Sequence, residues 1–205
     1  MIHLPLKQGS DEWRRAHLGI PSASQFHRII TPTGKLSAQA KGYMHGLIAE
    51  RVLGEFTSSD WSSALMDRGT EMEAQAAAWY EFTHNLETEI VGFCLTDDLR
   101  VGCSPDRFVG TDGMVEIKCP SAAVHVGYLL GDVKNEYKPQ AQGQLWVTDR
   151  KWVDLVSFNP LLPPVVVRFP RDDDYIAGMA KAVGEFCAAA DQGEQTLRAM
   201  MKKAA

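Results

Sequence analysis

The chain has 205 residues, 45% hydrophobic and 23% charged, with a formal net charge of −5. That suits one compact domain with its own core, and it excludes a disordered polyelectrolyte. It also argues against a simple DNA-coating protein, which would be basic, though a basic groove can sit on an acidic body and metal-binding carboxylates add negative charge. No apolar run approaches the roughly 18 residues of a membrane span. The N-terminal stretch lacks the basic and apolar regions of a signal peptide, so a cytoplasmic protein is expected. Four cysteines, Cys94, Cys103, Cys119 and Cys187, form no C-x-x-C pair. They read as free thiols packed as small apolar groups, with no structural zinc site.

In chain order, residues 9–17 read as a helix start with Ser10 or Asp11 as N-cap. Residues 22–29 form a second short helix, 31–35 a turn, and 38–53 a third helix stopped by Gly54. Residues 69–83 form a fourth helix. The pattern then turns to strands at 89–95, 101–104, 106–109 and 114–119, with the Asp112-Gly113 hairpin signal between the last two. A helix at 137–147, strands at 152–158 and 165–169, and a closing helix at 173–202 follow. The stripe Ile176, Met179, Ala180, Val183, Phe186, Cys187 and Ala190 is the core face of that last helix. This order predicts one mixed α/β domain over 1–205, its central sheet flanked by helices. A helical segment spans about 1–60, a catalytic core about 65–170 and a terminal helix about 173–202.

The chemistry concentrates in Cys-Ser-Pro-Asp (103–106) and Val-Glu-Ile-Lys-Cys-Pro (115–120). On a strand, alternation puts Glu116 and Lys118 on one face and Val115, Ile117 and Cys119 on the other, with the first two about 7 Å apart along the strand. Asp106, on the neighbouring strand, brings a second carboxylate beside Glu116. Two adjacent carboxylates repel, and a divalent cation offsets that. Such a cation, with the Ile117 backbone carbonyl as a further ligand, would polarise a scissile phosphate. Lys118 would position or deprotonate the attacking water. If it must lose its own proton, an alkaline pH optimum follows.

These segments resemble the phage lambda exonuclease family, also called YqaJ-type viral alkaline exonucleases, within the PD-(D/E)xK nuclease superfamily. The resemblance extends to Trp13, Leu18-Gly19 and Ala23-Ser24, to Gly-Thr-Glu-Met-Glu (69–73), and to Gln-Ala-Gln-Gly-Gln-Leu-Trp (140–146). It implies a restriction-endonuclease-like core. It also implies 5′-to-3′ degradation of one strand of linear duplex DNA to mononucleotides, leaving a 3′ strand for annealing-type recombination. A homotrimeric ring, a 5′-phosphorylated duplex end as substrate and a single-strand annealing protein as partner come with it. By resemblance, Asp106 and Glu116 are metal carboxylates, Lys118 the catalytic lysine, Glu73 a further metal-site glutamate and Gln140 an active-centre glutamine. Gln144 lies on the same helix face as Gln140, one turn on. The expected cofactor is Mg²⁺, two per site, with Mn²⁺ as a substitute. Ser24 and Ser104 fall to the 5′-phosphate side, Trp13 to the DNA end and Met66 to an apolar wedge. Asp97 and Asp98 match an acidic neighbourhood that turn formation explains equally well. One departure stands out. Where the resemblance calls for a phosphate-pocket arginine, this chain has His17, so either a protonated His17 or Arg14, Arg15 or Lys35 would meet the phosphate. Another nuclease on the same core, an endonuclease or RecB-like enzyme, is the alternative activity. A non-catalytic DNA-end-binding subunit is the alternative from another class.

Overall fold

The computed structural model describes residues 1–57, 63–133 and 135–204, with side chains at all of these except 63–70 and 204. The elements are β1 (Ile2–Leu4), α1 (Asp11–His17), a 3₁₀ helix (Ala23–Arg28), α2 (Ala40–Leu53), α3 (Ser63–His84), β2 (Glu89–Ile90), β3 (Phe93–Leu95), β4 (Gly102–Cys103), β5 (Arg107–Val109), β6 (Gly113–Lys118), α4 (Ala122–Leu129), α5 (Lys138–Thr148), β7 (Trp152–Asn159), β8 (Leu162–Pro170) and α6 (Asp173–Ala204).

Five strands make a mixed sheet in the order β2-β5-β6-β7-β8. Only β6 and β7 run parallel, with Glu116 opposite Leu155; the crossover between them carries α4 and α5. β6 is buried on both faces. Val115 and Ile117 pack with Ala76, Ala77 and Tyr80 of α3. Met114 packs in the larger core with Leu145 of α5 and Met179 and Val183 of α6. A buried carboxylate fixes α3: Tyr80 donates to Asp154 (2.7 Å), which also accepts two hydrogen bonds from the more exposed Arg168. On the crossover, buried His125 ties α4 to the sheet, receiving the Ser157 hydroxyl at Nδ1 (2.7 Å) and donating from Nε2 to the Pro163 carbonyl (3.0 Å).

Several elements differ from the expectation. Residues 89–95 are two strands in two sheets. β2 pairs β5, while β3 joins β1 and β4 in a separate three-stranded sheet. The break falls at Gly92, where a Cβ would sit 2.1 Å from the Leu4 carbonyl oxygen, so only glycine lets β1 pass this close. The helix expected at 22–29 is 3₁₀, with three residues per turn. The helix expected at 69–83 starts earlier, at Ser63. β1 and α4 were not anticipated. All four cysteines are free thiols. Among the described residues, no helix is long and apolar enough to cross a membrane.

Candidate active site

β5 pairs with β6 only through Val115, so beyond that point the β5-side edge of β6 is open. Asp106, just before β5, closes it by accepting the Ile117 N–H at Oδ2 (2.5 Å). In a strand the N–H and C=O of one residue point to the same side, so the Ile117 carbonyl faces the same edge as the Asp106 carboxyl.

Glu116 is 7% exposed and takes three hydrogen bonds. Lys118 Nζ (2.8 Å) and Gln140 Nε2 (2.6 Å) donate to its Oε1, and Gln144 Nε2 (2.6 Å) donates to Oε2. The two amides are one turn apart on α5, as i and i+4 on one helix face must be. The other Gln144 atom, Oε1, is buried without a hydrogen-bond partner among the described residues.

The electrostatics report crowded carboxyls. Burial and then the Glu116 charge push Asp106 well above the usual carboxylate range. The same two causes raise Glu73, which α3 brings near enough to sense Glu116, Lys118 and Arg107. Burial alone would lower the Lys118 ammonium, but the Glu116 and Asp106 charges and the hydrogen bond to Glu116 outweigh it and hold its pKa above the ordinary lysine value. Its resting form is therefore the ammonium, which would have to lose a proton before it could act as a base. Tyr137 walls this ammonium, its ring centroid 5.8 Å from Nζ and its hydroxyl held by Tyr128 at 2.7 Å. Beside the centre, burial and the charges of Glu73 and Asp106 push the Cys119 thiol to about 11, which leaves it unreactive at neutral pH.

A cleft of about 590 Å³ is walled by α1, the 3₁₀ helix, α2 and α5, with Ser22, Ser24, Arg28, Tyr43, Gln140 and Gln144 among its lining residues. His17 and Ser104 also line it, but they are locked in a ring of hydrogen bonds. The Trp13 indole N–H donates to Ser104 Oγ (3.0 Å), and Ser104 meets His17 Nε2 (3.3 Å). His17 Nδ1 lies 2.8 Å from the Trp13 carbonyl, which can only accept, so Nδ1 carries the proton and Nε2 receives the Ser104 hydroxyl. Stacked on Phe93 at 3.7 Å, His17 is pushed by burial down to about 4 and is neutral at neutral pH. A protonated His17 is thus not the resting state.

Of the other expected residues, Arg14 faces Asp11 at 3.8 Å, Lys35 is exposed in the loop after the 3₁₀ helix, and Arg15 is exposed; none lines the cleft. Met66 falls outside the described side chains. Asp97 pairs with the N-terminal ammonium at 2.6 Å, and Asp98 accepts from Thr96 and the Arg100 N–H. The second of these is turn chemistry, and neither touches the centre. Sequence reasoning missed Arg28, Tyr43, Tyr137 and Arg107.

Residues 12–151 match the YqaJ-like viral recombinase domain. The chain belongs to the YqaJ-like viral recombinase family. Two solved structures extend that match over nearly the whole molecule. One is the alkaline exonuclease LHK-Exo from Laribacter hongkongensis, 32% identical, with a TM-score of 0.84 over 96% of this chain and 100% of the other. The second is LHK-Exo in complex with dAMP, 34% identical at the same TM-score and coverage. A phage-related exonuclease from Haemophilus somnus 129PT, 19% identical, shares the fold, with a TM-score of 0.69 over 87% of this chain and 96% of that one. No curated protein sequence matches. The YqaJ-like chain thus has the mixed α/β fold of PD-(D/E)xK-type exonucleases, and its family is one of nucleases.

Proposed function

We propose that the chain is a metal-dependent exonuclease that degrades one strand of linear double-stranded DNA from its 5′ end. It releases 5′-mononucleotides and leaves a 3′ single strand for annealing. The observation that carries this reading is the meeting of Asp106, Glu116 and Lys118 on the open edge of β6, where Glu116 is held by Gln140 and Gln144, two residues that also line the cleft. The dAMP bound by LHK-Exo, a 5′-mononucleotide, supports the product class.

The donor set suits Mg²⁺. It offers hard oxygen atoms, two carboxyls and a backbone carbonyl on one edge, and carboxyls raised by burial and then by a neighbouring carboxylate charge that a cation would offset. Among the described residues no three acidic, His or Cys side chains already converge on one point. That agrees with an ion that keeps waters and shares substrate oxygens. Asp106, Glu116 and the Ile117 carbonyl would hold the first ion, with Glu73 placed to serve a second; Mn²⁺ takes the same ligands. When bound, the metal supplies Lewis-acid stabilisation of the phosphate and of the leaving oxygen.

The chain's own residues do the rest. Gln140 and Gln144 fix the Glu116 carboxylate. Lys118 sets an ammonium against the phosphate, where it orients the attacking water and offsets charge gathering on the phosphoryl oxygens. Water adds to phosphorus, the 3′ oxygen of the departing terminal nucleotide leaves, and the shortened strand keeps a 5′-phosphate. A homotrimeric ring would hold the duplex without tight groove contacts, which reconciles the function with a net charge of −5. A single-strand annealing protein is the expected partner for the 3′ product.

The test is polarity and product. A duplex carrying label at the 5′ end of one strand should release labelled mononucleotide at once, and the same strand labelled at its 3′ end should release it last. Reversed timing would refute the polarity, and release of oligonucleotides would refute the product class.

A further inference from the structure

β3 and β4 set two cysteines against one another: Cys94 and Cys103 are direct partners in the antiparallel register. Directly opposed residues share a face, and both side chains turn into the main core, away from Phe93 and Leu95, which pack with Trp13. Opposed Cα atoms in such a pair lie about 4.5–5.5 Å apart, inside the roughly 4.4–6.8 Å that a disulfide spans. Both residues are buried free thiols. Burial pushes the Cys103 thiol well above its ordinary range, while interaction with that thiol lowers Cys94 and makes it the better nucleophile of the two.

The two-residue β4 runs into the site at both ends. On one side the Gly102 N–H donates to the Pro21 carbonyl (3.1 Å) and Gly102 bridges to Ser22, in the wall of the cleft. On the other, Cys103 leads to Ser104, held by Trp13 and His17, then to Pro105, whose carbonyl accepts from Gln8 (3.0 Å), and to Asp106 at the edge of β6. The packing has little slack, because a Cβ on Gly102 would meet the Phe93 ring at 2.2 Å.

We propose that Cys94 and Cys103 are a redox-sensitive pair, and that a disulfide between them shifts β4 and so impairs both the cleft and the Asp106 edge. The oxidant is a low-molecular-weight disulfide. Both protein sulfurs are buried, so attack follows local opening of the hairpin that joins β3 to β4. Cys94 attacks one sulfur of the small disulfide and expels a first small thiol; Cys103 then attacks the Cys94 sulfur of the mixed disulfide and expels the second. Each departing thiolate takes up the proton its attacker lost. Two protein thiols are thus oxidised, one small disulfide is reduced to two thiols, and a reductant reverses the change. An S–S bond of about 2.05 Å draws the sulfurs closer than two thiols can pack. β3 is the central strand of its sheet and β4 an edge strand, so β4 gives way. The effect on degradation rests on the proposed nuclease reading; the bond itself does not.

The experiment equilibrates the full chain with oxidised glutathione or with a reductant and alkylates the remaining thiols under denaturing conditions. It reads protein mass, tryptic peptides, binding of 3′-fluorescent duplex ends in EDTA and degradation of the same duplexes in Mg²⁺. Oxidised wild type should take up two alkyl groups where the reduced protein takes four, with the Cys94 and Cys103 peptides joined within one chain. Binding and degradation should each fall roughly ten- to a hundredfold, the scale of an ångström of misplacement at a site, and recover with reductant. Cys94→Ala should bind and degrade equally with and without oxidant, and Cys94→Val stands in if the alanine variant does not fold. Cys187→Ala should respond as wild type does. Four free thiols after oxidation, a lasting glutathione adduct, or a disulfide that joins other cysteines or two chains overturns the pair. A Cys94–Cys103 bond that leaves end binding and degradation unchanged overturns the switch. A wild type that degrades nothing in either state removes the nuclease reading alone, because mass and end binding still decide this proposal.

Discussion

Glu116 would be a costly carboxylate to bury without its two glutamines. At 7% exposure its burial is offset by Gln140, Gln144 and Lys118, which supply donors to both oxygens. Gln144→Leu removes the donor at Oε2, which should lower stability by about 1–3 kcal/mol, less what the orphaned Gln144 Oε1 already costs, and cut the degradation rate roughly ten- to a hundredfold. Urea unfolding and single-turnover degradation check the two numbers, and an unchanged rate would mean the amide clamp is not part of the chemistry. His17 gives a different test. Its folded pKa of about 4 lies below the ordinary value, so the unfolded chain takes up a proton first as the pH falls. Its share of stability is whole above about pH 6.5 and is lost towards pH 4, to the extent of roughly 1–3 kcal/mol. The raised carboxyls of Asp106 and Glu73 act in the opposite sense over acid pH. The comparison is therefore wild type against His17→Gln: between pH 7.5 and 5 the variant should lose less stability than the wild type. Equal losses would place His17 in solvent.

At the scale of elements, β6 was legible and its surroundings were not. Alternation alone separates Glu116 and Lys118 from Val115 and Ile117, and the spacing of Gln140 and Gln144 alone puts both on one helix face. What closes the site is long-range. Residues 90–95 form one apolar run, and nothing local tells that Gly92 must pass the backbone of Leu4 and divide it between two sheets. The cleft escaped for a similar reason. It depends on a 3₁₀ rather than an α turn, and on α2 and α5 forming its other walls. The junction between those parts hangs on Gly143, where a Cβ would sit 2.5 Å from the Phe26 ring and 3.1 Å from the Ala23 Cβ. Gly143→Ala should push the 3₁₀ helix off α5, at a cost of about 1–3 kcal/mol for overpacking. It should also weaken binding of DNA ends, because the 3₁₀ helix and α5 wall the same cleft. Thermal unfolding and binding of fluorescent duplex ends in EDTA read both, and a stable variant with full binding would show that this packing does not set the cleft.

For the whole molecule, the sheet order explains why so much chemistry meets at one edge. The short β5 leaves the end of β6 open, α3 covers one face and α5 the other, and each contributes to the site: α3 supplies Glu73 and α5 the two glutamines. An acidic molecule that works along DNA must hold it by geometry more than by bulk charge. The proposed ring of three copies would do so, and it predicts a solution mass three times that of the chain by light scattering at micromolar concentration; a monomer would remove ring closure from the account. The most direct test of the central claim, a metal-dependent nuclease centred on Asp106, Glu116 and Lys118, pairs linear with covalently closed circular duplex in Mg²⁺ or EDTA, for wild type and Lys118→Ala. The account predicts that wild type degrades the linear form only, and only with the metal, and that Lys118→Ala degrades neither while still binding ends. Degradation that survives EDTA or Lys118→Ala would contradict the centre, and cutting of closed circles would contradict the exonuclease.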